Sequence, residues 1–413
     1  MSAKDKDLSF AEATSIIAGY GIGGGVLALP YLVSLNGLLP SAAVLVAAYC
    51  LSLLLHLMIA ELSAGDGSGS QIVELFRKYL FTGKGGAALT WVFFAAMGAV
   101  FLANLAAYVA GGSEVLAAAG LPAPWGGLLF YAAAAAVAAF GLKVLGVAEK
   151  WAVGAMSLLF AVLVAASLVA LGKGGAGAGG AAAGAGGAAT GAGAAEAAAT
   201  AAAALKAPRL LALYGMAMFC FAAFFSVPQA VAGLAGRPKL VPKAVAAGLG
   251  VNFGLILVVT ALSLLLSKEP TAIATVGWGR ALGPWAEAAG TAFVILAMLT
   301  SYWSISFALS SMLKERLGLG NFPAWLLATA PTLLLALAGL GGFLDFMRTA
   351  GGAIAVLVAV LLVPAYRRYR KARAAAGLET PALLHPLFAS PAWDWVAAVA
   401  YLLMAVGSSL PIK

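Results

Sequence analysis

Long apolar runs separated by short polar or glycine-rich joints make up most of the chain. A helix needs about 20 apolar residues to cross roughly 30 Å of hydrocarbon. The pattern predicts eleven such spans, at 9–39, 40–63, 87–116, 125–145, 151–171, 210–234, 243–266, 283–312, 324–340, 343–366 and 393–410. The period-two alternation of a membrane barrel is absent, so the class is all-α and membrane-spanning. Between the second and third spans, 68–83 carries Ile72, Leu75, Phe76, Tyr79 and Leu80 at helical spacing with Arg77 and Lys78 opposite. That segment is too short to span, and it predicts an amphipathic helix lying on the membrane surface.

One stretch imitates a twelfth span. Residues 174–204 are almost entirely alanine and glycine. A lipid-facing helix needs bulky side chains, and each glycine costs about 1 kcal/mol of helix stability relative to alanine. With this stretch as a loop and the N-terminus inside, most of the 24 basic residues fall in cytoplasmic joints, among them Arg77, Lys78, Lys143, Arg237, Lys314, Arg367 and Arg370. Counting the stretch as a span would invert every later joint, against the positive-inside rule. The expected organisation is a cytoplasmic tail at 1–8, a first five-helix unit at 9–172 and an extracytoplasmic loop at 173–207. A second five-helix unit at 208–366, a basic cytoplasmic loop at 367–392 and an eleventh helix at 393–413 follow, with the C-terminus outside.

Composition agrees with this class: 63% of the residues are hydrophobic and 9% charged, where a soluble domain carries about 25% charged residues. The net charge of +9 is dispersed between apolar segments, so it marks topology and not a nucleic-acid partner. Cys50 and Cys220 both lie inside apolar runs and read as small buried hydrophobes. The first residues lack a signal peptide's order, so the first apolar segment is expected to persist as a mature helix.

Two spans are interrupted at mid-depth. The first reads Gly19-Tyr20-Gly21-Ile22-Gly23-Gly24-Gly25 and then Pro30; the sixth reads Phe219-Cys220-Phe221-Ala222-Ala223-Phe224-Phe225-Ser226-Val227-Pro228-Gln229. Freed backbone groups at that depth persist only where they line a cavity or meet a partner. Taken singly, the glycine run also suits close helix packing and Pro228 an ordinary kink. Together, five helices apart, they fit an inverted repeat with its substrate site at the paired breaks. The half-helix starting near Gly24, Gly25 and Val26 presents N–H groups and a positive dipole end to a carboxylate, while carbonyls near Phe221 and Ala222 accept from an ammonium. The pair suits a zwitterion, with Phe221, Phe224 and Phe225 as apolar walls. Gly21, Ile22 and Gly23 complete the candidate lining.

These residues resemble a family. The first span, the sixth span with the Arg237-Pro238-Lys239 and Lys243-Ala244 that follow it, and Ala107-Tyr108-Val109 before Gly111-Gly112 are similar to the amino acid/auxin permeases. Those belong to the amino acid, polyamine and organocation superfamily, with the LeuT-type fold of two inverted five-helix repeats. The resemblance implies a site between spans one, three, six and eight that opens alternately to each side. In the third span Asn104 and Tyr108 are four apart and share a face toward it, a placement that also suits an interhelical hydrogen bond. In the eighth, Ser304 joins the lining, and Thr300 and Ser301 match the adjacent hydroxyls of sodium-coupled relatives. The carbonyls of Ala18 to Gly21 would complete that cation site with oxygen ligands alone. Some proton-coupled relatives place a fifth-span lysine in this cavity. Here Met156 and Ser157 stand in about that region, and the cavity is expected to be free for an ion.

The function expected is therefore import of a neutral amino acid by cation symport, sodium ahead of the proton, with no other cofactor; the oligomeric state stays open. His56 suits either a proton relay or, more commonly, a bond to neighbouring backbone. Glu12, Glu61 and Glu149 are expected near cytoplasmic ends as gate or surface pairs, and Asp345 with Arg348 as a local pair. With His56 and His385 the only histidines, and no HExxH, Gly-x-Ser-x-Gly or intramembrane aspartate pair, an enzyme is disfavoured. A sensor with the transporter fold is the rival; a channel lacks a filter motif.

Overall fold

A computed structural model describes residues 7–22, 24–66, 69–122, 124–172, 207–266, 274–339, 360–378, 383–384 and 390–410, and every regular element among them is helical. The first span is two helices, α1 (Phe10–Gly21) and α2 (Leu29–Asn36), bent by 64° about a break that includes a 3-10 turn at Gly24–Leu27. Next come α3 (Leu38–Asp66), the short α4 (Ile72–Tyr79), α5 (Gly86–Ala118), α6 (Trp125–Ala139) and α7 (Leu142–Gly172). The sixth span is also split, into α8 (Ala207–Cys220) and α9 (Ser226–Gly233). The rest are α10 (Val241–Leu266), α11 (Ala274–Leu282), α12 (Pro284–Leu317), α13 (Asn321–Leu337), α14 (360–375) and α15 (Pro391–Ser409). Among the described residues six helices are long and apolar enough to cross a membrane, and the bent α1–α2 pair makes a seventh. The shorter α6, α8 and α13 are also apolar.

Local chemistry explains the ends. Ser9 and Glu12 form a capping box on α1: Ser9 Oγ accepts the Glu12 N–H at 3.2 Å and Glu12 Oε2 accepts the Ser9 N–H at 2.7 Å. Gly37, with φ +81°, ends α2 and turns the chain into α3. Pro228 stands in the first turn of α9, where its missing N–H costs nothing because first-turn donors have no intrahelical acceptor. The expected amphipathic segment forms α4, which buries Ile72, Val73, Leu75 and Phe76 and leaves Arg77 and Lys78 outside. The Lys78 ammonium pairs with Asp66, which holds it above the ordinary lysine range.

The helices sort into two packed sets. α5, α6, α12 and α13 pack on one another, while α1, α2, α3, α8, α9 and α10 form the second set. Each set draws on both halves of the chain. α7 bridges them by lying against both α1 and α12, and α15 covers α8. α12 is the most enclosed long span, with Thr300, Ser301, Ser304, Ser306 and Ser310 all buried. Its hydroxyls avoid lipid partly by bonding back one turn, Thr300 to the Ala297 carbonyl at 3.0 Å and Ser306 to that of Trp303 at 3.2 Å.

Three expectations shift. The joint between the fourth and fifth spans lies at Phe140–Gly141, where Gly141 adopts φ +94°, so α7 starts at Leu142 and Glu149 sits two turns inside it. The expected basic loop at 367–392 is helical as far as 375, and its arginines find partners on neighbouring elements. Arg367 Nε pairs with Asp394 at 2.7 Å, and Arg373 donates to the Gly65 carbonyl at 3.1 Å, near the C-terminal end of α3. Cys50 is exposed on the surface of α3, and only Cys220 is a buried hydrophobe. The 174–204 loop, most of the tenth span with Asp345 and Arg348, and His385 lie outside the described residues.

Candidate functional site

The two helix breaks touch. A Cβ on Gly21 would stand 2.9 Å from the Cys220 carbonyl oxygen, so only glycine lets the end of α1 approach the end of α8 this closely. Asn252 of α10 donates its side-chain amide to that same carbonyl, satisfying an acceptor that the end of α8 leaves over. Within the second break, Ala222 N–H bonds to Phe219 O at 3.0 Å, and Ala223 N–H is taken by Nε2 of His56 at 2.9 Å. His56 Nδ1 lies 2.6 Å from the Ser52 carbonyl. Nε2 is thus the acceptor and Nδ1–H the donor of a neutral ring.

The expected lining divides into two groups. Ile22 is buried and closes α1 through its N–H to Ala18 O at 3.0 Å. Gly24 opens the 3-10 turn, and Gly23 lies outside the described residues. A Cβ on Gly25 would meet side-chain atoms of Cys220, Met216 and Phe219, so this glycine packs α2's approach against α8. Phe225 turns toward α5, its ring 4.6 Å edge-on from that of Phe101. Phe221 and Phe224 point the other way, Phe221 against Tyr49 and Phe253 and Phe224 stacked on His56 at 5.0 Å. Two of the three expected aromatic walls therefore belong to the packing of the breaks on α3 and α10. Asn104 and Tyr108 are both buried; Asn104 Oδ1 meets no hydrogen-bond partner, and Tyr108 hydrogen-bonds across to Ser301 of α12.

The expected cation ligands converge only in part. Ser301 Oγ lies 3.5 Å from Gly19 O and 3.4 Å from Tyr20 O, the carbonyls between the Ala18 and Gly21 positions expected. Ala18 O already accepts from Ile22, and Thr300 Oγ1 turns back to Ala297. The cavity is not free beside α7. Glu149 is fully buried there, its Oε1 accepting the Ser304 hydroxyl at 2.7 Å and its Oε2 meeting no hydrogen-bond partner. Oε2 fills the space that a Cβ on Gly19 would need. Gln229 of α9 donates to the Ser304 carbonyl at 3.0 Å, so α7, α9 and α12 meet at one residue. Glu12 and Glu61 keep the pairing expected of them: Glu12 with Lys143 at 2.6 Å, and Glu61 with the Tyr366 hydroxyl at 3.0 Å.

Glu149, Gln229 and Asn252 are site residues that the sequence reading did not select. Glu149 had a signal: it falls on the helical stripe of Leu142, Leu145, Val153, Met156 and Phe160, all of them buried. A carboxylate on an otherwise apolar stripe marks a buried charge. Asn252 and Gln229 carry no such signal, since single amides in apolar helices commonly serve packing.

No curated protein matches the chain in sequence. Residues 6–174 match the tryptophan/tyrosine permease family. The likeness thus holds among amino acid permeases and does not single out the amino acid/auxin family. Among solved structures, MhsT in complex with L-phenylalanine superposes with a TM-score of 0.61 at 17% identity, over 98% of this chain and 99% of that one. Mhp1, a nucleobase-cation-symport-1 family transporter solved in a closed conformation with bromovinylhydantoin bound, gives 0.59 at 11% identity, over 98% and 92%. The chain has the all-helical fold that MhsT and Mhp1 share, the LeuT fold, and its residues 6–174 match the tryptophan/tyrosine permease family.

Proposed function

We propose that the chain is a secondary active transporter that imports a neutral, aromatic amino acid by alternating access, in symport with a cation, sodium ahead of the proton. The observation that carries this reading is the contact of the two breaks, where Gly21 meets the Cys220 carbonyl. Unwound backbone at this depth offers N–H groups to a carboxylate and carbonyls to an ammonium, and rigid helices on either side can rock about it. The eleven-span, 5+5 inverted-repeat architecture expected from the sequence belongs to the same proposal, as do an inside N-terminus and an outside C-terminus.

An aromatic substrate is supported by the match to tryptophan/tyrosine permeases and by the phenylalanine bound in MhsT. Phe101, Phe225 and Tyr108 supply matching rings beside the breaks. Proteoliposomes preloaded with L-tryptophan should accumulate labelled tryptophan by counterflow, and phenylalanine and tyrosine should compete ahead of charged amino acids. Binding without exchange of label would replace the transporter by a sensor of the same fold.

A further inference from the structure

We propose that Glu149 is the anionic member of the coupling-cation site, facing the Gly19 and Tyr20 carbonyls and the Ser301 hydroxyl, and that the site takes one dehydrated monovalent cation, Na+. This rests on the reading of the chain as a cation-coupled transporter and adds a charged ligand to a site expected to be made of neutral oxygens.

Burial sets the problem. Glu149 is fully buried, and its one hydrogen-bond partner on the α12 side is the neutral hydroxyl of Ser304. An ionised carboxylate is costly to enclose without a counter-charge. None of the ion pairs found among the described residues includes Glu149. The two lysines flanking it on α7 are engaged elsewhere, Lys143 with Glu12 at 2.6 Å and Lys150 over the Trp151 ring at 5.6 Å. A mobile cation can supply the charge that no side chain does.

Geometry indicates where that cation would sit. The unpartnered Oε2 points at Gly19, and any side chain there would collide with it. Gly19 and Tyr20 turn their carbonyls toward Ser301 Oγ at 3.5 and 3.4 Å, too long for good hydrogen bonds. Oxygens that bind one hard cation at about 2.4 Å and near right angles stand about 3.4 Å apart. One carboxylate with neutral oxygens balances a single positive charge, whereas a divalent ion would leave an excess charge buried.

The position also explains coupling. Gly19 on the ion side and Gly21 on the substrate side are two residues apart in the last turn of α1, so ordering one orders the other. Ser304 carries the effect to α9 through Gln229. An ion that draws Glu149 and α1 together would favour the state that binds substrate, and substrate would in turn tighten the ion.

The test measures 22Na+ binding and the sodium dependence of labelled L-tryptophan binding on purified full-length protein, with choline as the replacement cation, for wild type, Glu149→Gln, Glu149→Asp and Ser301→Ala. Wild type should bind sodium and bind tryptophan more tightly in its presence. Glu149→Gln should lose sodium affinity by about tenfold or more and lose the sodium response of tryptophan binding. Glu149→Asp, which keeps the charge, should retain part of both, and Ser301→Ala should weaken sodium binding. Unchanged sodium affinity in Glu149→Gln, or loss in Glu149→Asp as complete as in Glu149→Gln, would overturn the proposal. So would a wild type that binds no sodium and is driven by a proton gradient alone. Counterflow without gradients separates the two readings: exchange by a wild type that binds no sodium sinks the ion site and keeps the transporter, and absence of exchange sinks both.

Discussion

His56 Nε2 accepts the backbone N–H of Ala223 at 2.9 Å, inside the break between α8 and α9. With Nδ1 directed at the Ser52 carbonyl, both ring nitrogens are spent on backbone, and the ring also stacks on Phe224. The histidine thus holds an unwound segment in place and is poorly placed to relay protons. His56→Ala takes from the Ala223 N–H one of its two acceptors, the other being the Phe221 carbonyl at 2.9 Å, a loss of about 1 kcal/mol, and removes the surface under Phe224. Thermal unfolding in detergent should show a clear loss of stability, with weaker tryptophan binding; an unchanged melting temperature would remove the pinning role.

The glycines of the first break should differ in tolerance. On Gly21 a Cβ meets backbone, the Cys220 carbonyl oxygen at 2.9 Å, as well as the Asn252 amide. On Gly25 it meets the far ends of side chains, Cys220 Sγ at 3.0 Å and Met216 Sδ at 3.2 Å. Gly21→Ala should therefore weaken substrate binding by about tenfold or more, roughly 1.4 kcal/mol, in a protein that still purifies as a folded species. Gly25→Ala should be mild and Gly25→Leu severe, because only the longer side chain forces α8 away. Equilibrium binding of labelled tryptophan ranks them, and equal tolerance at both positions would contradict the contact of the breaks.

Asn252 supplies the donor that the Cys220 carbonyl receives from outside its own helix. Asn252→Leu keeps most of the volume and removes the bond, leaving a buried acceptor unsatisfied at a cost of about 1–3 kcal/mol. Chemical or thermal denaturation should report that loss. Equal stability of the variant and wild type would mean that another group or water takes the carbonyl.

Topology is open to a direct measurement. In intact cells, a membrane-impermeant maleimide should label a cysteine placed at Gly184 and spare one placed at Arg370, with Cys50 and Cys220 replaced beforehand. The argument is the bias of basic residues toward one side. The reverse pattern would invert the protein and dismiss the loop assignment of 174–204.

Much of this was legible along the chain because the forces involved are local. The glycine run from Gly19 to Gly25 weakens its helix through the residues themselves, and the first break falls within it; the second break, 221–225, lies just before Ser226 and Pro228, which open the first turn of α9. The amphipathic α4 follows in the same way from spacing within 8 residues. The directions of Phe221, Phe224 and Phe225 did not follow, since the turn geometry of the second break decides which rings face α5 and which face α3. Glu149 was misplaced for a related reason. A left-handed Gly141 starts α7 nine residues earlier than hydropathy suggested, carrying the carboxylate from a cytoplasmic end into the interior. Its partner Ser304 lies 155 residues away. Hydropathy and propensity specify helices, breaks and membrane residence, because those terms sum over neighbours in sequence. Which oxygens face one another across the breaks depends on how separate helices pack, and that is decided only when distant segments compete for the same buried space.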